Sequence, residues 1–239
     1  MAARATKSPL DTGADALTPI VVCHTIKFMA EVRSLAEARA VREPGKRMRS
    51  RLLDAAVELF KARGAAGVSV AEIAAAAGAY PSQVTYYFRT KEALFVEAAC
   101  REVLYVARQA ELAAAGAASG SAYNRRLVET VIGSPGLALF VEALSLTRRR
   151  QDLGPLVERT FERLHAEGDR AYAEARHRRG WSETERAAVV ARRFWTLALG
   201  VALREGATEV SVEDAVEEMM ALLRPAYVEI HAAHPNGDA

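Results

Sequence analysis

Apolar residues in this chain recur at intervals of three and four, and almost nowhere at intervals of two. That spacing puts them on one face of a helix and leaves no segment able to bury one face of a strand. Alanine, leucine, arginine and glutamate dominate, residues that suit a helix interior. The fold class predicted is therefore all-α. A chain of 239 residues, 51% hydrophobic and 26% charged, has a globular profile. At that length it can bury roughly 70–75% of its unfolded surface without a disulfide or metal staple. Its two cysteines, Cys23 and Cys100, have no CxxC partner and are expected to be reduced thiols. A net charge of +2 is too small by itself to imply nucleic acid. The apolar run Ile20 to Cys23 is too short for a signal peptide, and Phe194 to Leu203 falls short of the roughly 20 residues that span a bilayer. These features predict a cytoplasmic protein with no membrane partner.

Glycine, proline and capping residues divide the chain. Residues 1–45 read as an extension: a loose tail to about residue 24, then an amphipathic helix from Thr25 to Arg42, then a break at Glu43-Pro44-Gly45. The first firm helix is predicted from Met48 to Arg63, with Leu52, Leu53, Ala56, Leu59 and Phe60 on one face and Gly64 at its C-terminal cap. A short helix follows over Val70 to Ala76, where Ser69 and Glu72 have capping-box spacing. Gly78 ends it. Pro81 opens a second short helix that runs to Phe88. Thr90 caps a long helix to about Ala115. Five more are predicted near Tyr123–Ile132, Gly136–Arg149, Leu153–Arg178, Ser182–Arg204 and Val212–Ala232. Ser182 and Glu185 repeat the capping-box spacing, and Gly168 and Pro225 are expected to bend or end their helices.

The chemistry concentrates between Arg51 and Val96. Two helices too short to stand alone, joined by a tight turn, can pack Val70, Ile73, Ala74 and Ala77 against Val84 and Phe88. This is a helix-turn-helix pattern, whose second helix enters the DNA major groove by its N-terminal residues. Tyr80, Ser82, Gln83 and Thr85 suit that role: glutamine can pair with adenine through both amide groups, and serine or threonine can meet either base edge. Tyr86 offers a hydroxyl to a phosphate. Lys91 sits in the first turn of its helix, where its charge opposes the macrodipole, so a phosphate partner explains it. The amides of that helix start would bind phosphate as well. Lys46, Arg47, Arg49 and Arg51 form a basic cluster suited to backbone contacts. Tyr86 or Tyr87 would serve equally as core, and the basic cluster as a solvated face.

Residues 46–101 resemble the TetR family of transcriptional regulators. The matching segments are Arg51-Leu-Leu-Asp-Ala-Ala-Val-Glu-Leu-Phe60, Gly64, Val68-Ser-Val-Ala-Glu-Ile-Ala74, Ala77-Gly78, Tyr86-Tyr87-Phe88 and Thr90-Lys-Glu-Ala-Leu-Phe95. The resemblance implies a three-helix DNA-binding domain over residues 46–106. It also implies a helical ligand-binding and dimerisation domain over 107–239, in a homodimer released from its operator by an inducer. Carried over by position, Ser69, Tyr86 and Lys91 fall where the family touches phosphate, and Tyr80, Pro81, Ser82 and Gln83 where it reads bases. Departures are Tyr80-Pro81 in place of a small polar and basic pair, Thr85 where an aromatic is common, and Tyr87 where histidine is common.

The second half carries no motif of comparable strength. Phe194, Leu197 and Val201 on one helix, and Val216, Met219 and Leu223 on the last, lie in wide apolar stripes. The resemblance places a four-helix dimer interface there, and monomer core is the alternative. An inducer cavity is expected among the middle helices, with Phe140, Leu144, Phe161, His165, Tyr172 and Trp195 as wall candidates. No cofactor and no metal are expected. Glu162-x-x-His165 and Glu174-x-x-His177 match the spacing of di-iron bundles, but they sit on one predicted helix, roughly 18 Å apart along it. The function expected is a DNA-binding regulator, a repressor, and not an enzyme. The competing readings are a ligand-independent architectural or partner-regulated DNA-binding protein and, more remotely, a helical-bundle metal enzyme.

Overall fold

The computed structural model describes residues 44–183, 185–208, 210–223 and 227–228. The predicted tail and the helix over Thr25 to Arg42 lie outside them. Helix α1 runs through residues 44–63. Pro44 and Gly45 are therefore helical rather than a break. A proline ring fixes a helical φ and obstructs only the turn before it, which falls outside the described residues. Leu52, Leu53, Ala56, Val57 and Phe60 are buried, and Leu59 is half-buried. Gly64 ends the helix at φ +67, a conformation that disfavours any residue with a Cβ, and its N–H reaches the Phe60 carbonyl at 2.8 Å.

Helices α2 (Val70–Ala76) and α3 (Pro81–Phe88) have the expected boundaries. At the start of α2 the Ser69 hydroxyl accepts the Glu72 N–H at 3.2 Å, and the Glu72 carboxylate accepts the Ser69 N–H at 2.8 Å. Thr90 caps α4 (Lys91–Ala114) by accepting the Ala93 N–H at 3.1 Å. Ile73, Val84 and Phe88 pack with Phe60 and with Leu94 and Phe95 of α4 in one core. Phe60 and Phe95 meet edge to face, 5.1 Å between centroids.

The second half comprises α5 (Gly120–Ile132), α6 (Pro135–Thr147), a 3₁₀ turn at Gln151–Leu153, α7 (Gly154–Arg179), α8 (Ala187–Glu205) and α9 (Val212–Leu222). Helix α4 packs on α5, α6 and α7; α8 packs on α5, α6, α7 and α9. Three boundaries differ from expectation. The Ser119 hydroxyl takes the Ala122 N–H at 3.1 Å, so α5 starts earlier than Tyr123. Ser182 does not cap α8: Ser182–Glu183 is extended and pairs antiparallel with Tyr227–Val228, and α8 begins at Ala187. Helix α9 ends at Leu222, before Pro225. Among the described residues the fold is thus all-α apart from that two-residue pair.

The apolar stripes also need correction. Phe194, Val201, Val216, Met219 and Leu223 are buried within the single chain, and Leu197 is half-buried. Helix α8 has neighbours on several sides, so its wide apolar arc is filled by its own protomer. These five side chains leave almost no surface for a partner.

Gly168 does not end α7, which runs on to Arg179. A Cβ there would stand 2.9 Å from the Ala191 Cβ, so its role is close approach of α7 and α8. Gly168→Val is expected to push the two helices apart and to cost about 1–3 kcal/mol, measured by urea denaturation against the unmodified chain.

Candidate functional site

Helix α3 divides cleanly. Val84 and Phe88 are buried and hold it to the core. Pro81, Ser82 and Thr85 are exposed on the rest of its surface, and Gln83 and Tyr87 are half-buried. Tyr80 is 77% exposed and Tyr86 79%. Tyr86 is therefore not core. Tyr87 packs against the core and meets Tyr86 edge to face at 5.0 Å. Two bare tyrosine rings, one at the N-cap and one on the helix, interleaved with hydroxyls, make a surface suited to phosphates and base edges.

The polar groups beside that face are already used. The Gln83 Oε1 accepts the Tyr80 N–H at 3.0 Å, closing the start of α3. A second lone pair on that oxygen and the amide NH2 group are left for a base edge. The Ser69 hydroxyl donates to the Glu72 Oε2 at 2.6 Å. Lys91 donates from Nζ to the carbonyls of Ala65 and Val68, each at 2.9 Å. Those two carbonyls offset the unfavourable place of its charge in the first turn of α4, so a phosphate is not needed to explain it. Arg49 pairs with Glu97 at 2.5 Å and lies 4.8 Å over the Phe88 ring. Arg51 donates to the Ala77 carbonyl in the turn between α2 and α3. A Cβ at Gly78, whose φ is +60, would stand 2.8 Å from the Arg51 guanidinium. Arg49 and Arg51 thus brace the unit from its surface.

Arg89 is a residue that sequence reasoning missed. It ends α3 at φ +66, a strained conformation for a side chain of its size, and its side chain is exposed. Only a backbone-dihedral preference could have flagged it, and arginine carries none at such a turn.

Glu72 is the most perturbed carboxyl of this end. The Ser69 hydroxyl, the Arg63 guanidinium at 2.8 Å and the Ser69 N–H hold it down to about 2.

A narrow cavity of about 50 Å³ opens among α4, α5, α7 and α8. Of the six expected wall residues, Tyr172 and Trp195 line it. Phe140, Leu144, Phe161 and His165 do not. The ring of Phe161 sits 5.5 Å from that of Phe140 and 5.9 Å from that of His165, a separate packed cluster. Burial and the nearby charge of Arg192 push the His165 imidazole down. Sequence reasoning missed Glu111, Tyr123, Glu167 and Phe194. Burial pushes the Tyr123 phenol up to about 12, with the Glu111 charge adding to it. Burial works to raise Glu111, but hydrogen bonds from Arg170 and Arg108 outweigh it and hold that carboxyl below its usual range. Both Glu-x-x-His motifs lie on α7, which continues through Gly168. Among the described residues no three His, Cys, Asp or Glu side chains converge as a metal site, and no single helix is long and apolar enough to cross a membrane.

Residues 52–98 match the family model for bacterial regulatory proteins of the tetR family, and residues 120–224 match that for a bacterial transcriptional repressor C-terminal domain. A solved structure from Rhodococcus sp. RHA1, provisionally described as a transcriptional regulator, is 38% identical over 74% of this chain and 96% of that one, with a TM-score of 0.67. A second, from Mesorhizobium loti MAFF303099 and provisionally assigned to the TetR family, is 22% identical over 75% and 94%, with a TM-score of 0.58, and shares the fold. Among curated proteins none matches the chain. This chain belongs to the TetR family of bacterial transcriptional regulators, with a helix-turn-helix unit for DNA at one end.

Two outcomes are expected. Lys91→Ala leaves the Ala65 and Val68 carbonyls without their charged donor and should lower stability by about 1.5–3 kcal/mol, read as a fall in the urea midpoint without DNA. The Glu72 carboxyl is depressed from 4.5 to about 2. Its contribution is therefore fully present above pH 4.5 and is lost as pH falls from there toward 2. Glu72→Gln should flatten the acid dependence of the unfolding midpoint over that interval.

Proposed function

We propose that this protein is a homodimeric repressor that acts on DNA in the cytoplasm and leaves a palindromic operator when a small molecule binds its second half. The observation that carries the reading is the bare face of α3: Tyr80 and Tyr86 stand in water beside Ser82 and Thr85, while Val84 and Phe88 lock the helix from behind. In this reading Tyr80, Pro81, Ser82, Gln83 and Thr85 meet base edges. Tyr86, Tyr87, Ser69, Arg49 and Lys91 meet the backbone. Two copies of α3 would enter successive major grooves, about 34–36 Å apart.

The dimer would use the outward side of α8 and α9 rather than the buried stripes. Thr196, Gly200 and Leu203 share an exposed face of α8, with Leu203 60% exposed, and Val212 and Leu222 are exposed on α9. Gly200 has nothing within 4 Å of where a Cβ would sit, which leaves room for close approach of a partner helix.

Release has a mechanical basis in α4. Its first half is buried with the DNA-binding core at Leu94 and Phe95, and its second half lines the cavity at Ala107, Ala110 and Glu111. The cavity as it stands is far smaller than the roughly 300–1,000 Å³ of ordinary ligand sites. A ligand that fits only a widened cavity has the differential affinity that shifts a conformational equilibrium. Widening moves α4 and therefore the spacing of the recognition helices. The same narrowness favours a second reading, a DNA-binding factor with no small-molecule effector. Ligand at 100 times its dissociation constant should add about 2.7 kcal/mol of stability if the first reading holds.

The test is binding to the DNA upstream of its own gene against a scrambled duplex at two salt concentrations, with footprinting for two half-sites. Lys91→Ala should weaken binding to every duplex and lower the salt slope by about one unit. Gln83→Ala should cost about 1–3 kcal/mol at particular base pairs. Equal loss on all duplexes would exclude Gln83 from base reading.

A further inference from the structure

Arg89 adopts a backbone state that glycine takes elsewhere in this chain. Among the described residues four have a positive φ, and the other three are Gly64, Gly78 and Gly180. Arg89 stands at φ +66 and ψ −51, and across it the Thr90 N–H donates to the Phe88 carbonyl at 2.8 Å. Those angles with that bond make a γ-turn of the rare, strained hand. The turn is tight because Phe88 ends α3 and Thr90 already caps α4. A reversal of this kind needs only backbone, and glycine would make it with less strain. The turn by itself therefore does not account for an arginine.

No contact within the fold accounts for it either. Between Met48 and Ala98 the chain carries six lysines and arginines: Arg49, Arg51, Lys61, Arg63, Arg89 and Lys91. Arg49 holds Glu97, Arg51 holds the Ala77 carbonyl, Lys61 holds Glu58 and Glu102, and Arg63 holds Glu72. Lys91 gives two of its three donors to the Ala65 and Val68 carbonyls. Arg89 is exposed, and its side chain has no hydrogen bond, ion pair or ring contact among the described residues.

Its position is that of the bare face. The Arg89 N–H continues α3 by donating to the Thr85 carbonyl at 2.9 Å, so Arg89 follows Ser82, Thr85 and Tyr86 at helical spacing. Backbone strain of this kind collects at functional sites. A guanidinium meets phosphate through two parallel N–H bonds, and Arg89 has no present partner to surrender for one.

We propose that Arg89 is a phosphate clamp of the recognition unit, a free cation that the strained turn after α3 holds at the edge of the DNA-facing surface. The inference rests on the reading that α3 meets DNA, and adds Arg89 to the residues carried over from the family.

The test uses the full chain, the duplex upstream of its own gene and the scrambled duplex. Affinity is read over a range of salt, and the urea midpoint is taken on the same samples. Arg89→Gly should raise the midpoint, because the turn is relieved. It should nevertheless weaken binding to both duplexes about tenfold and make the salt dependence shallower by about one unit per protomer. Arg89→Ala keeps the strain and loses the charge, so it should bind as weakly without the gain in stability. Arg89→Lys should keep the salt slope. Arg126→Ala removes an exposed arginine from α5 and should change neither affinity nor slope, which separates a contact from a loss of net charge. Unchanged affinity and slope in Arg89→Gly, an equal loss in Arg126→Ala, or a fall in the midpoint of Arg89→Gly overturns the clamp while the DNA reading stands. If the unmodified chain binds neither duplex, the DNA reading falls and the clamp with it.

Discussion

Helices of seven and eight residues have too few backbone bonds to persist alone; α2 and α3 pack on one another, and α4 backs α3. Leu94, Phe95, Val96, Ala98 and Ala99 of α4 are fully buried or nearly so. At about 1.5–3 kcal/mol for each large apolar side chain taken from water, this wall outweighs anything the two short helices supply through their own caps. The same helix, roughly 36 Å long, then turns its second half to the cavity. Because it is continuous from Lys91 to Ala114, the position of the recognition face and the width of the cavity are not independent.

Around that wall the polar residues divide into two kinds. Lys91 and Arg51 donate to backbone carbonyls at the loop between α1 and α2 and at the turn between α2 and α3. Such bonds fix the path of the chain, because a carbonyl cannot swing away as a side chain can. The ion pairs Arg101–Asp54 and Arg63–Glu72 are exposed, and pairs of that kind contribute little. Tyr80, Ser82, Thr85 and Tyr86 belong to neither kind. They take almost no part in holding the fold, which is why they are available for contact with DNA. Strain at Arg89 is stored beside them, and the caps of α3 and α4 on either side hold the chain in that conformation.

Sequence reasoning reached furthest where structure is set by neighbours in sequence. Ser69 with Glu72, Pro81, Thr90, Gly64 and Gly78 fixed the limits of α2, α3 and the start of α4, because a cap acts over three or four residues. The same logic failed at Ser182, where the spacing of a capping box is present but the backbone pairs with Tyr227–Val228 instead. A distant strand competed with a local cap, and nothing within the local window could reveal it. Lys91 shows a second limit. Its place in the first turn of α4 points, on sequence alone, to a phosphate, while the carbonyls that answer its charge come from Ala65 and Val68, more than twenty residues earlier.

The cavity and the interface mark the remaining boundary. Periodicity identified the apolar arcs of α8 and α9 but not which neighbour fills them, since an apolar stripe looks the same whether its own chain or a second copy covers it. Burial assigns Phe194, Val201, Val216, Met219 and Leu223 to the protomer. Residue type suggested aromatic walls for the cavity, and packing then kept Tyr172 and Trp195, set Phe140 and Phe161 in a separate cluster, and added Glu111 from the helix that also backs α3. The sequence by itself determined the helical class and the limits of the helix-turn-helix unit, because those follow from short-range caps and periodic burial. Only the tertiary structure decided what lines the cavity and which apolar faces remain open, because both depend on contacts between helices far apart in the chain.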